Sequence, residues 1–250
     1  PPRSTLFPYT TLFRSLPMGI FPDSLASQAV LDTKVLEQMR LEAERSMHKL
    51  IDSLISAEED DLPIRSEIVI GDPDLEIQEF SLRYQPDLIV IGARGKGGKD
   101  CFSGGTAEKL MRHTHVPVMA VPVDVAYQPF RKLIFVIPSG NLPSGRLREM
   151  DQWFAFWEPV VHLLSTEADP GEDPCRELEK CILGLRQPHC QYHIIPCKSS
   201  VLPLPEVIHM FSPDLVIFPF QREGLLHRIF HPASSRREIY KAHLPILTWP

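Results

Sequence analysis

Two stretches of this chain are written twice. "QPDLIVIG" at 85–92 answers "SPDLVIFP" at 212–219, and "HTHVPVMAVP" at 113–122 answers "KAHLPILTWP" at 241–250. The offsets are 127 and 128 residues, so the halves keep their spacing with one residue of drift. Each repeated stretch is a short apolar run bounded by proline, the pattern of a buried strand. A chain built this way is expected to fold as two copies of one layered unit.

The segments between the repeats supply helices. Leu36, Met39, Ala43, Met47, Leu50 and Leu54 fall at alternating three- and four-residue steps, one stripe of an amphipathic helix that starts near Asp23 or Ser24. Glu58 to Asp61 and Pro63 close it. "IRSEIVIG" reads as a strand. In "GDPDLEIQEF", Asp72 can cap a helix and Pro73 suits its first position. Strand "DLIVIG", a glycine loop, a helix to about His113 and strand "VPVMAVP" follow. After the linker "DVAYQP" the order restarts with "KLIFVIP" (strand), "GRLREMDQWFAFW" (helix), "PVVHLLS" (strand), "DPCRELEKCILGL" (helix), "CQYHIIPC" (strand) and "LPEVIHMF" (helix). Strands alternating with helices predict an α/β fold of parallel sheets covered on both faces. The domains are expected at 16–124 and 130–250, the first lacking a strand–helix–strand unit ahead of Leu16.

The first fifteen residues, "PPRSTLFPYTTLFRS", match the translation of a common sequencing adapter. They are expected to be a non-native segment and stand apart from fold reasoning. A net charge of −6 argues against nucleic acid as the main partner. No apolar run reaches the ~18–20 residues of a membrane helix. The five cysteines contain no CxxC and, with no secretory signal visible, read as reduced thiols of a cytoplasmic protein.

The chemistry concentrates in "IGARGKGGKDCFSGGTAEKLM", 91–111, where glycines link a strand to a helix. A Walker A loop fails, because Ala93 stands where its first glycine belongs and Lys99 is followed by Asp100 rather than a hydroxyl. The dinucleotide pattern fails at Asp100 as well. The spacing that stands out is Gly92-x2-Gly95-x9-Gly105-Thr106. Gly92 and Gly95 end a strand, where a side chain would block backbone approach to a ribose or phosphate. Gly105, Thr106 and Ala107 begin a helix, whose free N–H groups and positive dipole end favour a phosphate. Thr106 adds a hydroxyl donor, and Arg94, Lys96 and Lys99 carry positive charge, the two lysines reading rather as solvated loop cations. The plain alternative is a connector that holds no ligand.

With "GDP" ahead of the preceding helix, "PDLIVIGARG", "GGTAEKLMRHTHVPVMAVP" and the tandem arrangement, the chain resembles the nucleotide-binding branch of the universal stress protein family. The resemblance is good over 16–122 and weaker over 131–250. It implies two doubly wound domains of the universal stress protein type, akin to adenine nucleotide alpha hydrolases. It also implies ATP, with or without Mg2+, bound through Gly92, Arg94, Gly95, Gly105, Thr106 and Ala107. It further implies stress-response regulation rather than catalysis. Family members join edge strands antiparallel, so "VPVMAVP" is expected to face "LPILTWP" in an internal pseudo-dimer, with room for further homo-oligomers. ATP binding by this chain is expected to be weak, because base-side residues would lie in the absent unit.

The second copy aligns Pro219 with Gly92, Arg222 with Gly95, and Ala233-Ser234 with Gly105-Thr106. Proline brings a ring and no N–H, so this half reads as a degenerate structural partner. Pro138 and Ser139 stand where nucleotide-binding relatives carry an aspartate. His189 and His193 in "HCQYH" share a strand face by spacing, without the further ligands a metal wants. Trp153, Phe154, Phe156 and Trp157 read as packing. A slow ATPase or nucleotidyl or phosphoryl transferase, and a ligand-free dimerisation scaffold, are the alternative functions.

Overall fold

Pro73 opens a helix for a local reason. The Asp72 side chain accepts the backbone N–H of Asp74 at 3.2 Å, and proline follows directly, where its missing N–H costs nothing. The computed structural model describes residues 10–16, 26–57, 63–93, 105–123, 125–137, 144–166, 174–185, 188–197, 204–219 and 244–249. They form an α/β arrangement divided into two units, 1–87 and 88–250. The expected boundary between 124 and 130 falls inside the second unit.

The first unit holds β1 (Thr10–Leu16), α1 (Ala26–Ala57), β2 (Ile64–Ile70) and α2 (Pro73–Tyr84). β1 and β2 pair in parallel from Thr10 opposite Ile64 to Leu16 opposite Ile70. Thr10–Ser15, set apart from the fold on sequence grounds, therefore supply most of a strand. "TTLFRSL" has the β-branched and aromatic content a strand favours, and Phe13 packs edge-on against Phe80 at 5.1 Å. Among the described residues, one strand thus precedes α1. The α1 stripe centres on Ala43 and Met47, both buried. Leu50, expected on it, is 46% exposed.

The second unit holds β3 (Ile89–Gly92), α3 (Thr106–His113), β4 (Val118–Val121), β5 (Lys132–Ile137), α4 (Ser144–Trp153), β6 (Val160–Thr166), α5 (Pro174–Leu183), β7 (Gln191–Cys197), α6 (Leu204–Phe211), β8 (Leu215–Pro219) and β9 (Ile246–Trp249). Its seven strands lie in the order β3-β4-β9-β8-β5-β6-β7. All neighbours are parallel except β4 and β9. Alternate residues of these strands, among them Leu133, Phe135, Val161, Leu163, Leu215, Ile217 and Leu247, build one core with Leu147, Met150 and Phe154 next to them and Leu178 of α5. Trp153 and Trp249 meet edge-to-face at 4.5 Å, as packing residues. Helix α4 ends at Trp153 and the chain turns through Phe154–Trp157, leaving Phe156 83% exposed and outside the expected packing.

The duplication is visible as register. Ile89 pairs with Val118 and Gly92 with Val121; at the same offsets Val216 pairs with Ile246 and Pro219 with Trp249. The approaches match too. Gln85 and Ser212 each take φ 45 after a helix, and each N–H returns to a carbonyl four residues back, on Ser81 and Ile208. The two copies then meet at β4 and β9, antiparallel, with Val118 opposite Thr248 and Ala120 opposite Ile246. Val118 and Ile246 are fully buried. This is the antiparallel pairing that the family resemblance implied.

Asp214 of the repeated Pro-Asp-Leu ties two strands together. Its carboxylate accepts the N–H groups of Arg131 and Lys132, both at 2.8 Å, and its own N–H donates to the Lys132 carbonyl. It thereby fixes where β5 starts beside β8. Hydrogen bonds to a charged acceptor are worth about 1.5–3 kcal/mol each and are discounted at this partly exposed site. Asp214→Ala is expected to cost about 1–3 kcal/mol, read as a lower urea midpoint with an unchanged slope.

Candidate functional site

The glycine loop runs between the carboxyl end of β3 and the amino end of α3. In a parallel β3–α3–β4 crossover those two ends lie at the same edge of the sheet, where open α/β folds bind ligands. Gly92 is the last residue of β3 and is exposed; Ala93 beyond it is buried, its N–H donating to the Val121 carbonyl at 2.8 Å. Arg94 and Gly95, with Lys96 and Lys99, lie outside the described residues.

Gly105 is the N-cap of α3. Its φ of −82 and ψ of 173 are extended values open to any residue. A Cβ built on it meets no atom within 4 Å. Neither backbone strain nor crowding by its neighbours therefore calls for glycine here. The choice also removes the side-chain cap, and among the described residues no side-chain cap bond is made at this position. Asp72 shows that this chain does cap a helix with a carboxylate elsewhere. Among the described residues no side-chain cap therefore competes with an incoming acceptor for the first-turn N–H groups of Thr106 and Ala107. Thr106 is half-buried and Ala107 buried. Glu108 would repel an anion from the same turn, but Arg112 one turn on holds its carboxylate at 2.8 Å, with both side chains mostly buried. Leu110 and Met111, fully buried, anchor the helix.

In the second copy, Pro219 occupies the register position of Gly92, opposite Trp249 as Gly92 is opposite Val121. Pro138, Ser139, Arg222, Ala233 and Ser234 lie outside the described residues. A second feature escaped sequence reasoning. Asp151 of α4, 3% exposed, accepts the N–H groups of His189 and Cys190 at 3.0 Å and the Tyr192 hydroxyl at 2.8 Å. Burial, with Asp151 adding to it, pushes the Cys190 thiol up to about 12, so it stays protonated and inert. Burial likewise raises the Tyr192 phenol. This is a satisfied buried carboxylate that pins α4 to the start of β7. It also corrects the shared strand face of His189 and His193: β7 begins at Gln191, so His189 precedes the strand. Among the described residues no group of three or more His, Cys, Asp or Glu is placed to hold a metal.

Comparison with known proteins bears on the same segment. A model of the universal stress protein family matches residues 20–122. That segment belongs to the universal stress protein family. A universal stress protein of Methanocaldococcus jannaschii is 34% identical over 92 residues, covering 36% of this chain and 51% of that protein. The match thus spans about half the length of this relative. One from Synechocystis is 22% identical over 106 residues, covering 42% of this chain and 69% of that protein. Among solved structures, a universal stress protein of Archaeoglobus fulgidus superposes with a TM-score of 0.70 at 13% identity, over 96% of this chain and 85% of that one. A putative universal stress protein of Pseudomonas aeruginosa gives 0.55 at 13% identity, over 97% and 92%. At such identity the structural likeness carries the universal stress protein fold alone. No helix among the described residues is long and apolar enough to cross a membrane.

Proposed function

We propose that this chain is an adenine-nucleotide-binding regulatory module that receives the phosphates of ATP at the start of α3. One observation carries the reading: Gly105 caps a helix with no side chain, at a position where neither its dihedral angles nor its neighbours require glycine. Such a residue makes sense where a ligand must approach the backbone. The family match over 20–122 supports the same reading. In it, Gly92 and Gly105 leave room, the N–H groups of Thr106 and Ala107 and the Thr106 hydroxyl donate to phosphate oxygens, and Arg94 and Gly95 complete the loop. Mg2+, when bound with the nucleotide, neutralises phosphate charge. The second copy serves as the structural half of a tandem pseudo-dimer joined through β4 and β9, and the protein works in the cytoplasm.

No side chain in this reading performs a chemical step. Titration with ATP is expected to show one saturable site, with a Kd on the order of 0.1–1 mM, because the contacts reach phosphate and sugar rather than the base. Phosphate release is expected to stay at the uncatalysed background. No binding at millimolar ATP would contradict the reading, and steady turnover would replace it with an enzyme.

A further inference from the structure

His162 and His193 sit directly opposite each other on β6 and β7. Their rings stack at 5.6 Å, and Phe211, the last residue of α6, covers His162 at 4.2 Å. His162 is 9% exposed, and its Nδ1 is buried without a hydrogen-bond partner. His193 is exposed. Both side chains project from the sheet face opposite to Val161 and Leu163, and so opposite to the core packed by α4 and α5.

We propose that the His162–His193 stack, closed by Phe211, is an acid-responsive latch holding α6 and the edge strand β7 to the sheet. Neutral imidazoles stack against each other and against an apolar ring without conflict. A proton on His162 brings a charge into a site that gives its Nδ1 no acceptor. Among the described residues the groups acting on it are unfavourable to that charge: His193 from β7 and Lys132 from β5, with the apolar Phe211 from α6. Burial, then His193, then Lys132 hold the His162 pKa below its ordinary 6.5. The folded chain therefore takes up this proton less readily than the unfolded chain. The sign follows: the stability is fully present above the unfolded value near 6.5 and is lost as pH falls below it toward the depressed folded value. Each unit of depression is about a tenfold loss in the folding equilibrium.

The test is urea unfolding of the whole chain from pH 8 to pH 5, with hydrogen exchange at both ends of the range. The wild type is expected to hold its midpoint above pH 7 and lose it below 6.5, with protection factors at pH 5 falling in α6 and β7 ahead of β5 and β8. His162→Phe keeps a ring in the site without the titrating nitrogen and is expected to show a shallower fall. His193→Gln is expected to retain most of the fall, since burial is the largest cause. Parallel curves for wild type and His162→Phe would overturn the latch. If that variant does not fold, the ring proton resonances of His162 in the wild type decide instead. A His162 titration midpoint below 6.5 supports the latch, and one at or above it refutes it.

Discussion

Ile246→Asp is expected to unfold the second unit or leave it marginal, with loss of the cooperative urea transition and with self-association. Ile246 is fully buried in β9, paired on one side with Ala120 of β4 and on the other with Val216 of β8. The change removes about 2–3 kcal/mol of apolar burial. It also places a carboxylate at a fully buried position, a penalty of several kcal/mol even after relaxation. Against a total stability of about 5–15 kcal/mol this is decisive. Ile246→Val, which shortens the side chain and keeps the pairing, should cost only about 0.5–1.5 kcal/mol. Leu183→Asp, at a position 82% exposed, should be close to neutral. A near wild-type midpoint for Ile246→Asp would mean that β9 is not central to the sheet in solution.

That strand was legible in the sequence because its signal is local and repeated: an apolar run at a fixed offset from its copy, bounded by prolines. The same held for α2, whose Asp72-Pro73 start is written in two adjacent residues. Features made by distant residues were not legible. Nothing in "HCQYH" announces that Asp151, some 40 residues earlier, takes two of its backbone N–H groups and the Tyr192 hydroxyl. Spacing alone put His189 and His193 on one strand face; Asp151 instead holds His189 ahead of the strand. Nor does the sequence pair His193 with His162, since strand register sets that contact. For β1, the sequence origin suggested by "TLFPYTTLFRS" outweighed its strand propensity, which the edge of β2 takes up. At the candidate site the glycine spacing named the residues. Only the structure separates Gly105, with open space at its Cβ, from a glycine that packing demands.

Gly105→Val is the second substitution of large expected effect, and for the opposite reason: it should leave the fold intact and remove the ligand. The dihedral angles accept valine, and its first side-chain atom meets nothing within 4 Å. The free helix end gains no hydroxyl or carboxylate cap, so stability should change by less than about 0.5–1 kcal/mol. The space that valine fills, however, is the approach to the N–H groups of Thr106 and Ala107. Hydrogen bonds to a charged phosphate are worth about 1.5–3 kcal/mol each, so losing two weakens binding by about a hundredfold or more. The most direct test of the nucleotide assignment is calorimetric titration of ATP into the wild type and Gly105→Val side by side, with thermal unfolding of both as the control. Saturable heat in the wild type and none in a variant of unchanged melting temperature is the predicted result. Equal binding by the two proteins, or none by either, would contradict it.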